Sequence, residues 1–195
     1  MKNLFTQVQL THKRLGLADF LSAYSVCARS TRHQVIKVEA GQDFREPGSK
    51  SYSRFMAGDY DAAVKLIPQE RLADREDYLA NCKKGIWDLR LRLVIRPLTQ
   101  YLQWEFETYK CSARWGERIC VIDITGEERR RRFGEVADFL LFDDQEVLLN
   151  WYDNGEFRGG WHVTEPNLVS QCVKMAELLR TESIPLALFE WEHGL

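Results

Sequence analysis

F-G-E-V-A-D-F-L-L-F-D-D-Q-E-V-L-L-N-W-Y-D-N-G-E-F-R-G-G-W-H-V-T-E-P, residues 133–166, is the stretch that decides the architecture. Two apolar runs, 138–142 and 146–152, are separated by Asp143-Asp144-Gln145, and a third, 157–164, follows Asp153-Asn154-Gly155. Each run is short, rich in Val, Leu and aromatic residues, and bounded by turn formers, which is the pattern of a strand. Asx side chains bond the local backbone, and glycine takes positive φ without steric cost. The stretch therefore predicts a three-stranded antiparallel meander. Behind it, Leu168, Cys172, Met175, Ala176 and Leu179 fall on one stripe and predict a helix over 167–181.

Upstream, the most regular strand is W-D-L-R-L-R-L-V-I, residues 87–95. Leu89, Leu91 and Leu93 point one way along it, and Asp88, Arg90 and Arg92 the other. The β-branched segment 34–39, followed by Gly41, and R-I-C-V-I-D-I at 118–124 predict two further strands. Helices are expected over 18–29, with Phe20, Leu21, Tyr24 and Cys27 on one face, over 51–56, and over 72–84 with Gly85 ending it. Pro97 suits the first position of a helix running through Tyr109, with Leu98, Leu102 and Phe106 as its stripe. Residues 44–50 and the charged segment 126–132 read as loops, and Gly16 separates a shorter N-terminal segment. This order predicts an α+β domain over 18–195, a mixed, largely antiparallel sheet covered by helices, preceded by an N-terminal extension, 1–17.

Six Trp, seven Tyr and ten Phe in 195 residues suffice for a substantial core. A net charge of −2 gives no global pull toward nucleic acid or anionic lipid. No run of about 18 apolar residues is present, and the first ten residues lack an apolar leader core, so a cytoplasmic protein is expected. Cys27, Cys82, Cys111, Cys120 and Cys172 are scattered without C-x-x-C or zinc spacing and are expected as free thiols. Neither a cofactor nor a metal is expected.

Arg90 and Arg92 on one strand face offer a fork for phosphate or carboxylate, or the cationic half of structural ion pairs. Glu105, on the following helix, is their natural partner or a general base, and Tyr101 is placed with them as a ligand-binding residue. Asp143 and Asp144 are counted with this ligand-binding set; gathered with Asp153 at one end of the meander, they would hold a metal or share a proton. As residues between strands, all three also have the ordinary role of turn formers. Arg129, Arg130, Arg131 and Arg132 form the one dense basic patch, suited to nucleic-acid phosphates. Glu127, Glu128 and Glu135 bracket that patch, and no aromatic residue interleaves it to stack bases. His162, beside Trp161, reads as a packed, hydrogen-bonded imidazole in preference to an acid/base residue; none of His12, His33, His162 and His193 falls in a metal-binding spacing. G-x-S-x-G, the P-loop pattern and G-x-G-x-x-G are all absent from the sequence.

I-K-V-E (36–39), R-F-M-A-G-D (54–59), R-L-R-L-V-I-R-P-L-T-Q-Y-L-Q-W-E (90–105), Gly116-Glu117, D-F-L-L-F-D-D (138–144) and Y-D-N-G-E-F-R-G (152–159) together resemble an actinobacterial domain of unknown function. That family occurs alone or behind an Xre-type helix-turn-helix regulator. The resemblance spans roughly 18–190 and implies a bacterial cytosolic protein without assigning an activity. The helix-turn-helix segment has no counterpart in this sequence. The meander and the helix after it also look like the second half of a degenerate phospholipase-D-like domain. The active form of that family uses H-x-K-x-x-x-x-D, with His as nucleophile and Lys on the phosphoryl oxygens. Registered on Asp144, the pattern puts Ala137 and Phe139 at the His and Lys positions; registered on Asp143, it puts Val136 and Asp138 there. The expectation is a non-catalytic module that binds a small anionic ligand or a protein partner. The alternatives are an enzyme using Glu105 or the Asp143, Asp144 and Asp153 carboxylates, and a nucleic-acid binder using Arg129 to Arg132.

Overall fold

The computed structural model describes residues 2–133 and 136–194. The meander forms as expected: β5 (Phe139–Phe142), β6 (Glu146–Asp153) and β7 (Glu156–Val163) pair antiparallel in chain order. Asp143 and Asp144 in the first turn, and Asn154 and Gly155 in the second, all take positive φ, the conformation that Asx and glycine tolerate. Beside β5 lies β2 (Gln34–Glu39), antiparallel to it. Beyond β2 the sheet turns parallel through β3 (Trp87–Val94) and β4 (Arg118–Asp123). Two-residue strands, β1 (Leu15–Gly16) against β7 and β8 (Ile184–Pro185) against β4, close an eight-stranded mixed sheet in the order β1-β7-β6-β5-β2-β3-β4-β8.

Helices cover both faces, and strand alternation sorts their contacts. On one face Ile36, Val38, Leu91, Leu93, Leu141 and Leu149 pack against α1 (Lys2–Thr11) and α8 (Pro166–Thr181). Through Leu4 and Val8, α1 enters this core, and α8 does so through Val169, Cys172, Ala176 and Leu179. Toward the meander on the opposite face, Leu140, Phe142 and Leu148 meet Phe20 and Cys27 of α2 (Leu17–Ser30). Farther along that face, Val94, Ile119 and Val121 meet α3 (Lys50–Met56), α4 (Tyr60–Glu70), α6 (Gln100–Arg114) and α9 (Leu186–His193).

Three local expectations change. The helix after β3 starts at Gln100 rather than at Pro97, because Thr99 caps α6, its Oγ1 accepting from the Leu102 amide at 3.1 Å. Residues 126–132 are no loop: α7 (Glu127–Phe133) forms there, anchored by buried Phe133. Between Gly58 and α5 (Leu72–Lys84), where no element was expected, stands α4, held by Ala63 and Ile67 one turn apart.

Candidate functional site

Alternation along β3 turns Arg90 and Arg92 away from the leucine core and under α6, where they are 2 % and 0 % exposed. Neither is a free fork. Arg90 donates from Nε to Glu117 Oε1 (2.9 Å) and from Nη1 to Glu39 Oε2 (2.6 Å), with its guanidinium 4.6 Å from the centre of the Tyr109 ring. Arg92 donates from Nε to Glu105 Oε2 (2.8 Å) and from Nη2 to the Gly41 carbonyl (2.5 Å). Tyr101 donates to the other Glu105 oxygen (2.9 Å), Tyr109 to Glu39 (2.8 Å), and Lys37 pairs with Glu39 (2.8 Å). Burial opposes these charges, and their partners outweigh it: Arg90, Lys37 and Arg92 hold Glu39 well below the usual carboxylate range. Glu117 and Glu39 likewise hold Arg90 above the ordinary guanidinium range against the effect of burial.

Over this network opens a cavity of about 680 Å³, walled on one side by α2 and on the other by α5, α6 and the segment before α3. Its lining runs from Asn150 on β6 to Glu117 at the start of β4, a reach of about 19 Å at the usual strand spacing. Phe20, Tyr24, Phe44, Tyr78, Tyr101 and Trp104 give it aromatic walls. Seven lining carboxylates (Glu39, Glu46, Glu70, Asp74, Asp88, Glu105 and Glu117) face three cations, Lys37, Arg71 and Arg90. The cavity is therefore acidic, contrary to a cation-lined pocket, because each arginine brought in by β3 is matched or outnumbered by the carboxylates around it.

Glu117 Oε2 and Asn150 Oδ1 are buried acceptors without a hydrogen-bond partner. The Glu46 side chain, half-buried, makes no hydrogen bond or ion pair with any described residue, and burial followed by the Glu105 charge pushes its carboxyl upward. Arg71 Nε, the one buried donor without a hydrogen bond among the described residues, still has its countercharge, Asp74, at 2.7 Å. Asp88 is also pushed up, to about 6, chiefly by burial, although Asn81 donates to both its oxygens at 3.0 Å.

Of the residues expected in a ligand site, Arg90, Tyr101 and Glu105 line the cavity, and Arg92 lies wholly beneath it. Asp143 and Asp144 are elsewhere. Asp143 accepts from the amides of Arg32, His33 and Gln34 at 2.6–2.8 Å, and Asp144 accepts from the Gln34 side chain at 3.1 Å. Asp153 is at the far end of β6 from both, since successive turns of a meander fall at opposite ends, so the three aspartates do not converge. Arg129 and Arg132 pair with Glu182 at 3.1 and 2.9 Å, Arg131 pairs with Glu127, and Arg130 bonds the Gly126 carbonyl at 3.3 Å. Sequence reasoning missed Glu39, Glu46 and Glu117. Of these, Glu39 carried a signal, since it stands on a strand face with Lys37 and pairs in register with Arg92. The described thiols are all free, and no described helix is long and apolar enough to cross a membrane.

A mixed eight-stranded sheet between helical layers, with an acidic cavity across its middle strands, defines an α+β domain with a built pocket. The chain belongs to the family of the domain of unknown function DUF6879, whose profile matches residues 22–190. No protein of curated function matches the sequence. Similar solved structures include the phospholipase D family member Nuc from Salmonella typhimurium, at 8 % identity and a TM-score of 0.48, covering 90 % of this chain and 97 % of that one. NucT from Helicobacter pylori aligns at 11 % identity and a TM-score of 0.45, over 90 % and 98 % of the two chains. The archaeal chromatin protein TrmBL2 aligns at 10 % identity and 0.41, over 94 % and 59 %.

Proposed function

We propose that this chain is a non-catalytic binding module in a bacterial, cytoplasmic regulatory or accessory system of the kind found beside Xre-type regulators, and that its cavity takes a small organic cation. The observation that carries this reading is the acidic lining of the cavity, seven carboxylates against three cations, with the Glu46 side chain bonded to none of the described residues. A ligand N–H that bonds the Glu46 carboxylate makes a charge-assisted hydrogen bond. Aromatic walls add attraction for an ammonium or guanidinium group. An anion would meet seven carboxylates and find Arg90 already bonded to two of them. A lysine or arginine side chain presented by a protein partner carries the same chemistry.

The test is thermal unfolding in the presence of alkylamines, polyamines and guanidinium compounds, set against nucleotides and sugar phosphates. A ligand at a hundredfold excess over its Kd stabilises by about 2.7 kcal/mol. Cations should raise the midpoint in the wild type and lose that effect in Glu46→Gln. Stabilisation by the phosphates alone would overturn the reading.

A further inference from the structure

Cys27 of α2, Glu146 at the start of β6 and His162 of β7 meet at the meander end of the sheet, away from the acidic cavity. Cys27 Sγ lies 3.5 Å from Glu146 Oε2 and 3.7 Å from His162 Nε2, and the imidazole and carboxylate are 2.7 Å apart. These three donor atoms come from three separate elements, and all lie within 4.8 Å of one another. Pairing places them: His162 stands opposite Leu148, so Glu146, two residues before Leu148, is its diagonal neighbour on the same face. The last turn of α2 then brings Cys27 down onto that face. Its carbonyl accepts from the Thr31 amide and hydroxyl (3.0 and 2.7 Å) and from the Ser30 hydroxyl (2.9 Å), which fixes the residue that carries the thiol.

We infer that Cys27, Glu146 and His162 form a zinc site with one position open to solvent. Sulfur, imidazole and carboxylate at ordinary zinc bond lengths stand about 3.5 Å apart on the two edges involving sulfur, and about 3.3 Å apart on the remaining edge of a tetrahedron. The two sulfur edges here agree with that figure to about 0.2 Å. The third is a hydrogen bond that an ion would replace, opening it by about 0.6 Å. Cys27 is fully buried, whereas the His162 and Glu146 side chains are 30 % and 29 % exposed, so the uncommitted tetrahedral position faces water. A thiolate, an imidazole and one carboxylate suit zinc, whereas magnesium and calcium take oxygen donors. Coordination would fasten α2 to β6 and β7. In binding, the metal displaces the thiol proton to solvent and changes no oxidation state.

The experiment is titration of the chelator-treated chain with Co²⁺, followed by competition with Zn²⁺, in wild type and in Cys27→Ser, His162→Asn and Glu146→Gln. A Cys82→Ala background removes the exposed thiol as a source of signal. One equivalent of Co²⁺ should give a thiolate-to-cobalt charge-transfer band and tetrahedral d–d bands, both abolished by Zn²⁺. Cys27→Ser should lose the charge-transfer band, and His162→Asn and Glu146→Gln should weaken binding at least tenfold. Absence of the band in the wild type, or its survival in Cys27→Ser, overturns the assignment and leaves a hydrogen-bonded trio. Should Cys27→Ser fail to fold, by circular dichroism, the other two variants decide: unchanged Co²⁺ affinity in both overturns the site.

Discussion

Arg92 Nε donates to Glu105 Oε2 across 2.8 Å at a point where no part of the arginine meets solvent. Removing one member of such a pair strands the other as an uncompensated charge. Glu105→Ala should therefore lower unfolding free energy in urea by about 3–5 kcal/mol. Replacing both, as Arg92→Met with Glu105→Leu, should recover most of that loss, and the double-mutant cycle measures the coupling.

Stability should vary with pH in opposite directions at two carboxylates of the cavity. Glu39 has a folded-state pKa held below its unfolded value by Arg90, Lys37 and Arg92 against the effect of burial. Its contribution is complete above the ordinary carboxylate pKa and is lost as pH falls through the folded value. Asp88, raised by burial from 3.8 to about 6, imposes a cost that grows as pH climbs between those two values and is complete above the higher one. Asp88→Asn should accordingly raise the urea midpoint at about pH 8, with the gain vanishing toward about pH 4. An equal gain at both pH values would contradict the assignment.

Gly160 stands where β7 passes under α2. A Cβ there would run into the Leu149 carbonyl oxygen and approach Phe20 Cε2 to 2.9 Å. The nearest atom is backbone within the paired strand and cannot swing aside. Gly160→Ala should cost about 3 kcal/mol or more, read from chemical denaturation. Gly48→Ala, where a Cβ meets nothing within 4 Å, is the control.

Glu182 neutralises both Arg129 and Arg132. Glu182→Ala should release two guanidinium groups and move elution from a heparin column to higher salt. Because exposed pairs contribute at most about 1 kcal/mol, the change in stability should be small. A wild-type chain already retained as strongly as the variant would mean that the patch is free as it stands.

The strands were legible because apolar and polar residues alternate along them and Asx-Gly turns punctuate them. Arg90 and Arg92 were assigned to one face on the same ground, and Glu105 to the helix above them. Elements without that periodicity stayed hidden: α7 has four arginines and only Phe133 to bury, and α4 carries Pro68 near its end. Pro97 misled because its fitness for a helix start is local, whereas α6 begins where Thr99 can cap it. Glu117 and Glu46 reach the cavity through the parallel crossover and the segment before α3, which no spacing rule anticipates. Cys27 and His162 lie 135 residues apart, far outside any motif-length window.

The border strands of the sheet are only two residues long, and one of them, Ile184–Pro185, contains a residue that has no N–H to offer. A wide, apolar sheet ordinarily invites another chain to dock along its unpaired margin. Here that margin is interrupted midway along β7 and along β4, so no long unbroken edge is offered for fibril growth or for a partner peptide to extend the ladder. Association by strand addition is thereby disfavoured, and recognition is left to side chains over the face of the sheet.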